Sequence, residues 1–529
     1  MKKNNLSNSI ILFLKDNKLL LIILIVFFLI KVFFITTRYH LPIWDEAVYL
    51  GMGKYIYSAG NAGLWEMIRP FGLPLFTGAI WISGLDQIYT TQFLAILFSC
   101  ATIFMTYMIA KELFDKKIAL LSVLMLVITP LFFLYSIYVM TEIPSTFFVL
   151  LSIYFYLKKK YFLSGLFAGV ALLFRFPQGL IIVPIGLAII TDWFLEKKKK
   201  KIDGNKQKKT DKTEYSVLFK RILFYGIGLA IIIIPFISLN YIMYNAYTSK
   251  ATDALFRPLI LASPHQGNLF ESIRGTSLSS QLYNIFYYII MMLKNNVLFI
   301  LSLAGAIMLL VKFKEHAKIL SFTIIIYLAY YSYIINKQER FMITFLPIIC
   351  ILTAYFIYYI IRKIIPKDFK QIKDYNNLSD VMRRSALVSI IIIAILLTSG
   401  YAIIVDTEYY YWLHSRDNKP EIVNDYYHII EDMKIRGSIL ISEPVLTAFT
   451  DNKLIEYTYE NGAVLISNEW EANDDITAVA YSYDTIPCLE EDERCKNMRE
   501  SLFNYFDSNY EMYYEKEFYG QKRYIFLKR

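Results

Sequence analysis

The run "LLLIILIVFFLI", residues 19–30, and its counterpart "ALVSIIIIAILLTSGYAIIV", residues 386–405, constrain this chain more than any other feature. Crossing the hydrocarbon of a bilayer takes roughly 20 predominantly apolar residues in a helix. Runs of this kind recur along the chain, and 56% of its 529 residues are hydrophobic, with a mean hydropathy of +0.42. A water-soluble domain does not need that much apolar surface. The pattern predicts a polytopic helical membrane protein. The first run is too long for a signal peptide and lacks a small-residue cleavage site, so it reads as a retained helix.

The charges orient the helices. The segment from Val405 to Arg529 holds 13 Lys+Arg against 25 Asp+Glu, a net of −12, while the rest of the chain carries +22. The basic excess lies in short connections such as "EKKKKKIDGNKQKKTDK" and "RKIIPKDFKQIKD". Such runs suit nucleic acid or, by the positive-inside rule, the cytoplasmic side of a membrane; the alternation with apolar runs selects the second and excludes nucleic acid as a partner. Placing every lysine-rich connection inside gives about eleven spans, near residues 19–37, 88–110, 118–136, 142–157, 161–175, 178–194, 221–241, 295–311, 317–335, 341–361 and 385–404. The inner connections then hold 31 Lys+Arg and the outer loops nine. The expected fold is an all-α polytopic membrane protein, residues 1–404, with a cytoplasmic N-terminus. An extracytoplasmic α/β domain, residues 405–529, follows it. The domain reading rests on a helical pattern ending at Gly437, on the strand-like "SILIS", "KLIEYTYE" and "ITAVAYSY", and on a final hairpin.

Two long outer loops follow from this threading, 38–87 and 242–294. The first is aromatic, amphipathic and broken by Gly and Pro, the composition of helices lying along the membrane interface. Cys488 and Cys495 fall in the outer domain, where disulfides persist, and are expected to pair. No CxxC or HExxH spacing marks a metal site. The Asn-X-Ser triplets at Asn5 and Asn377 both fall on the inner side.

Charged and polar residues collect on the outer face near the membrane boundary. The first loop supplies Asp45, Glu46, Lys54 and Arg69; the second outer turn supplies Glu142; "LLFRFPQG" supplies Arg175; the second long loop supplies Arg257, His265 and Arg274; and "NKQERFMITFLP" supplies Lys337, Glu339 and Arg340. Each has a plainer reading taken singly. Glu142 could cap a helix, and the cations could reach to lipid headgroups along their apolar stems. Together they supply carboxylates and cations on one face, which is what it takes to hold an anionic headgroup and deprotonate a hydroxyl beside it.

The stretches "WDEAVY", "RPFGLPLF", "TEIPSTFF", "GVALLFRFPQGLIIVP" and "QERFMITFLP" resemble, in order and spacing over residues 15–360, the GT-C glycosyltransferases, notably protein O-mannosyltransferases and the lipid A aminoarabinose transferase. The resemblance implies two interfacial helices in the first loop and a sugar donor carried on a polyprenyl phosphate. It implies Asp45 as catalytic base and Glu142 as a residue shaping the site. The acceptor-recognition WWD motif of oligosaccharyltransferases is absent, which speaks against transfer to sequons. The expected reaction is an inverting transfer from polyprenyl phosphate to a hydroxyl on a protein, glycan or lipid. A phosphate leaves as a stable anion, so one general base is enough, with cations stabilising the leaving group. Asp45, Glu46 and Glu142 form the expected catalytic set and would also be the ligands of a divalent ion if one is used. A flippase of lipid-linked sugars, an oligosaccharide ligase and a membrane-anchored binding protein are the competing readings. A transporter would show internal repeats and broken helices at the bilayer midplane, and no such halves stand out.

Overall fold

A computed structural model describes residues 15–37, 40–202, 211–245, 250–266, 277–311, 316–364, 397–398, 400–401, 404, 421–460, 462–483, 493–518 and 520–529. Helices dominate the N-terminal three quarters. In chain order they are α1 (Lys18–Thr37), α2 (Trp44–Tyr57), α3 (Gly72–Ile82), α4 (Gln87–Leu113), α5 (Lys116–Val127), α6 (Pro130–Tyr135), α7 (Glu142–Leu157) and α8 (Tyr161–Phe174). Then follow α9 (Ile182–Ile202), α10 (Asp211–Tyr244), α11 (Ala251–Gln266), α12 (Leu278–Asn295), α13 (Leu301–Val311), α14 (Lys318–Tyr333) and α15 (Leu346–Ile364). Five stretches among the described residues are long and apolar enough to cross a membrane: Lys18–Thr37, Gln87–Leu113, Phe176–Lys198, Tyr215–Tyr244 and Leu346–Lys363. Shorter apolar helices such as α7 and α8 pack among them.

Helices occupy every interval expected as a span up to 341–361; the last, 385–404, lies outside the described residues apart from 397–398, 400–401 and 404. The first long loop, 38–87, forms two helices, α2 and α3, as expected. The second, 242–294, to which the sequence assigned no helix, holds α11 and most of α12. In α12 the residues Tyr287, Tyr288, Met291 and Met292 are buried, while Leu278, Leu282 and Phe286 stay exposed.

The bundle is held as membrane helices are, by small residues and internal polar pairs. Gly165 and Gly169 on α8 let α10 approach so closely that a Cβ at Gly165 would meet the Tyr225 carbonyl oxygen at 1.9 Å. Ser152 donates to the Ser164 carbonyl at 2.7 Å, joining α7 to α8. On α1, by contrast, Ile22, Ile25, Leu29 and Phe33 face outward, a surface suited to lipid.

The C-terminal region is a six-stranded mixed sheet of order β3-β2-β1-β4-β6-β5. Its strands are β1 (Ser438–Ile441), β2 (Leu454–Glu460), β3 (Ala463–Ile466), β4 (Ile476–Ser482), β5 (Tyr510–Phe518) and β6 (Gln521–Lys528). β1 runs parallel to both β2 and β4, and β5 and β6 form the expected antiparallel hairpin. Alternation along each strand gives the sheet two apolar faces. One packs Ile455, Tyr481 and Phe526 against Leu502 and Phe506 of α16 (Glu493–Asn509). The other turns Ile439, Ile441, Leu454 and Ala480 toward the helical bundle, whose core they join. Cys495 is disulfide-bonded, Cys100 and Cys350 are free, and Cys488 lies outside the described residues.

Candidate active site

The first turn of α2 sets two adjacent carboxylates to opposite tasks. Successive helical side chains diverge by about 100°, so Asp45 and Glu46 cannot face the same neighbours. Glu46 is fully buried and its oxygens are spent locally. Oε2 accepts from the Ile43 amide at 2.9 Å, as in a capping box, and lies 2.7 Å from His40 Nε2. Oε1 accepts from the Val139 amide at 2.6 Å, tying α2 to the second outer turn. Burial pulls the His40 imidazole down, but the Glu46 carboxylate outweighs it and holds His40 above its ordinary pKa.

Asp45 points instead into a chain of alternating charges. Arg69 Nη2 donates to Asp45 Oδ1 at 2.6 Å, and Arg69 Nε donates to Glu66 Oε2 at 3.0 Å. Arg340 pairs with the other Asp45 oxygen, and its Nε lies 3.4 Å from Glu142 Oε1. Arg175 Nη1 closes the chain by donating to the same Glu142 oxygen at 3.1 Å. The order is Glu66, Arg69, Asp45, Arg340, Glu142, Arg175. Burial alone would raise the Asp45 carboxyl; Arg69 and Arg340 reverse that and hold it below the usual carboxylate range.

The chain heads a cavity of about 770 Å³. Asp45, Tyr49, Arg69, Thr141, Arg175 and Arg340 form its polar end. Leu172, Phe176, Leu180, Ile182, Val183 and Leu259 supply apolar lining to the same cavity. Arg175 Nε, Arg340 Nε and Glu142 Oε2 are shielded from solvent without a hydrogen bond. Buried donors without a hydrogen bond are costly; the two guanidinium Nε groups stand at the cavity, where an anion could bring them acceptor oxygens, while Glu142 Oε2 is an acceptor left without a donor. The apolar wall suits a hydrocarbon chain attached to such an anion. A divalent ion fits poorly. Glu46 is engaged elsewhere, Asp45 and Glu142 are both paired with Arg340, and no three His, Cys, Asp or Glu side chains converge among the described residues.

Several residues expected at the site stand apart from it. Lys54 is buried against the C-terminal region, donating to the Thr450 carbonyl and to Asp451 Oδ1, both at 2.9 Å. Burial lowers its pKa and Asp451 opposes that shift. Lys337 caps the end of α14 through the Tyr331 and Ser332 carbonyls at 2.6 and 2.7 Å, and burial pushes its pKa down to about 8. Glu339 pairs with Lys294 near the surface. Arg257 sits on α11, the helix that supplies Leu259 to the wall, but does not itself line the cavity. His265 falls within α11, and Arg274 lies outside the described residues. Conversely, sequence reasoning passed over His40, Glu66 and Glu456. Glu66 stands three residues before Arg69, the one local signal available. Glu456 lies on β2 with Oε1 shielded and unbonded; burial, reinforced by the charges of Glu66 and Glu471, pushes its carboxyl up to about 8.

The chain shares the GT-C fold seen in solved structures of ArnT and AglB. Residues 77–202 match the family model described as dolichyl-phosphate-mannose-protein mannosyltransferase, a stretch that carries Glu142 and Arg175. Among solved structures, the chain is similar to ArnT from Cupriavidus metallidurans bound to undecaprenyl phosphate, with 14% identity, a TM-score of 0.58, and coverage of 97% of this chain and 98% of that one. The apo form of ArnT gives a TM-score of 0.59 at 12% identity, covering 96% and 97% of the two chains. AglB, the oligosaccharyltransferase of Archaeoglobus fulgidus, in complex with an inhibitory peptide and a dolichol-phosphate, gives 0.52 at 12% identity, covering 97% of this chain and 74% of that one. No curated protein matches the sequence.

Proposed function

We propose that this protein is an integral-membrane, inverting glycosyltransferase. It moves a sugar from a polyprenyl-phosphate donor to an acceptor hydroxyl on the extracytoplasmic side, with Asp45 as general base. The observation that carries this reading is the placement of three guanidiniums and the Asp45 carboxylate at the head of one apolar-walled cavity. The donor phosphate takes Arg69, Arg175 and Arg340, and its prenyl chain runs along the wall of Phe176, Leu180 and Val183. Planar guanidiniums suit phosphate through paired hydrogen bonds.

A base held below the usual carboxylate range is a poor base, and the network supplies the remedy. Donor phosphate competes for Arg69 and Arg340, so one Asp45 oxygen is released to the acceptor hydroxyl. That oxygen takes the proton as the acceptor oxygen attacks the anomeric carbon. The bond from that carbon to the phosphate oxygen breaks, and polyprenyl phosphate departs with one more negative charge, stabilised by the arginines. A single displacement inverts the anomeric centre. Glu46 acts as a positioning residue through Val139 and Ile43, and Glu142 holds Arg175 and Arg340 in register.

The same-side placement of the first loop and the C-terminal region supports the topology read from the charges, because Lys54 bonds directly to Asp451. Purified protein in nanodiscs, supplied with polyprenyl-phosphate sugars and a panel of acceptors, tests the proposal by mass spectrometry. Glycosylated acceptor and free polyprenyl phosphate should form in equal amounts. Donor carried across proteoliposome membranes unchanged, with no product in any arm, would replace the transferase reading with that of a flippase.

A further inference from the structure

The C-terminal sheet does more than cover the bundle. The segment between β1 and β2 reaches α2 at the turn that carries Asp45. The Thr447 hydroxyl donates to the Ala47 carbonyl at 2.7 Å, two residues beyond Asp45. That oxygen already accepts an amide within its own helix, so the bond from Thr447 is an added tie. The contact is close: a Cβ at Gly51, one turn on, would meet Thr447 Cγ2 at 2.7 Å. At the far end of α2, Lys54 is buried and holds Thr450 and Asp451. Asp451 also accepts from Trp81 Nε1 of α3 at 3.0 Å, so one carboxylate joins both interfacial helices. The Gly63 amide donates to the Asn452 carbonyl at 2.9 Å, and the Leu454 amide donates back to the Gly63 carbonyl at 2.8 Å, extending the attachment into the loop after α2.

The first turn of a helix frays readily, and Ile43 at the start of α2 offers no side-chain oxygen to cap it. The turn bearing Asp45 is therefore held from outside on two sides. The bundle holds it through Glu46 and the Val139 amide, and the C-terminal region holds it through Thr447. We propose that the C-terminal domain is a working part of the catalytic site, with Thr447 and Asp451 as positioning residues that set the Asp45 carboxylate against the donor cavity. The proposal rests on the reading of Asp45 as general base. It predicts that loosening this clamp lowers the rate of the chemical step and leaves the arginine site for the donor intact.

The test uses full-length protein in nanodiscs. Thr447→Val keeps the methyl that packs on Gly51 and removes the hydroxyl; Thr447→Ser keeps the hydroxyl. Small misplacements of a reacting group cost up to about 100-fold, so kcat for Thr447→Val should fall about 10- to 100-fold. Donor KM and polyprenyl-phosphate affinity should stay within about twofold, and Thr447→Ser should recover most of the rate. The proposal is overturned if Thr447→Val turns over like wild type. It is equally overturned if donor affinity and melting temperature fall in step with kcat, which would mark a purely structural contact. Should Thr447→Val not be recovered folded, Asp451→Asn carries the same readouts at a side chain that is 68% exposed. Asp45→Asn, assayed alongside, keeps the two ideas apart. If it stays active, the base assignment fails; if it is inactive while the Thr447 and Asp451 variants are unaffected, only the clamp fails.

Discussion

Replacing Asp45 with asparagine should move turnover and donor binding in opposite directions. The amide has nearly the shape of the carboxylate but cannot accept the acceptor's proton. Loss of a positioned general base costs about 10²- to 10⁴-fold, and kcat should fall within that range. Donor binding should tighten. In the wild-type protein Arg69 donates to Asp45 at 2.6 Å and Arg340 holds its other oxygen, so donor phosphate must displace a bound anion. The Asp45 side chain is only 14% exposed, so these contacts are poorly screened by water. Hydrogen bonds to charged groups contribute roughly 1.5–3 kcal/mol net. Each arginine keeps a second carboxylate, Glu66 or Glu142, so only part of this is returned. A gain of about 1.4 kcal/mol corresponds to roughly tenfold tighter binding. Titration of polyprenyl phosphate, followed by fluorescence of the neighbouring Trp44, measures the affinity, and single-turnover mass spectrometry measures the chemistry. Turnover within a few-fold of wild type would reduce Asp45 to a hydrogen-bonding helix-end residue, a role asparagine fills as well, and would shift the base to Glu142. Weaker donor binding would show that the carboxylate organises the arginines for phosphate rather than competing with it.

Arg340→Lys should weaken donor binding by about tenfold or more, because one ammonium cannot span Asp45 and Glu142 as the guanidinium fork does; an unchanged donor Kd would remove Arg340 from the phosphate site. Glu456 gives a pH signature. Its carboxyl is pushed up to about 8 from an ordinary 4.5, so across that window the folded protein keeps a proton that the unfolded chain has lost, and stability falls as pH rises. The apparent melting temperature of wild type should therefore drop from about pH 5 to 8 more steeply than that of Glu456→Gln, and parallel slopes would refute the assignment. After mild reduction, Cys495 should react with a membrane-impermeant maleimide in intact cells; labelling only after permeabilisation would invert the topology and place the site on the cytoplasmic side.

The helix intervals were legible because partition between lipid and water depends on the length and apolarity of a continuous run, and both are properties of the linear sequence. The strands of the final hairpin were legible for a related reason, since their signals are local, but the helix expected to run to Gly437 ends at Asp432, and Gly437, at φ +105°, instead leads into β1. Helices α11 and α12 escaped notice because an amphipathic helix interrupts its apolar residues with polar ones, and β3, only four residues long, carries almost no pattern. At the site, the sequence by itself brought Asp45, Arg69, Glu142, Arg175 and Arg340 to one face of the bundle through the charge asymmetry of the loops. Only the family resemblance separated Asp45 from Glu46; the residue pattern alone could not, since their divergence acts only once Val139 and Arg69 stand on either side of α2. Nor could it send Lys54 to Asp451, or set Thr447 on Ala47, because those partners stand 397 and 400 residues apart in the chain. Which ions neutralise one another in a poorly solvated cavity is decided by distances between residues far apart in the chain, and those distances exist only in the tertiary structure.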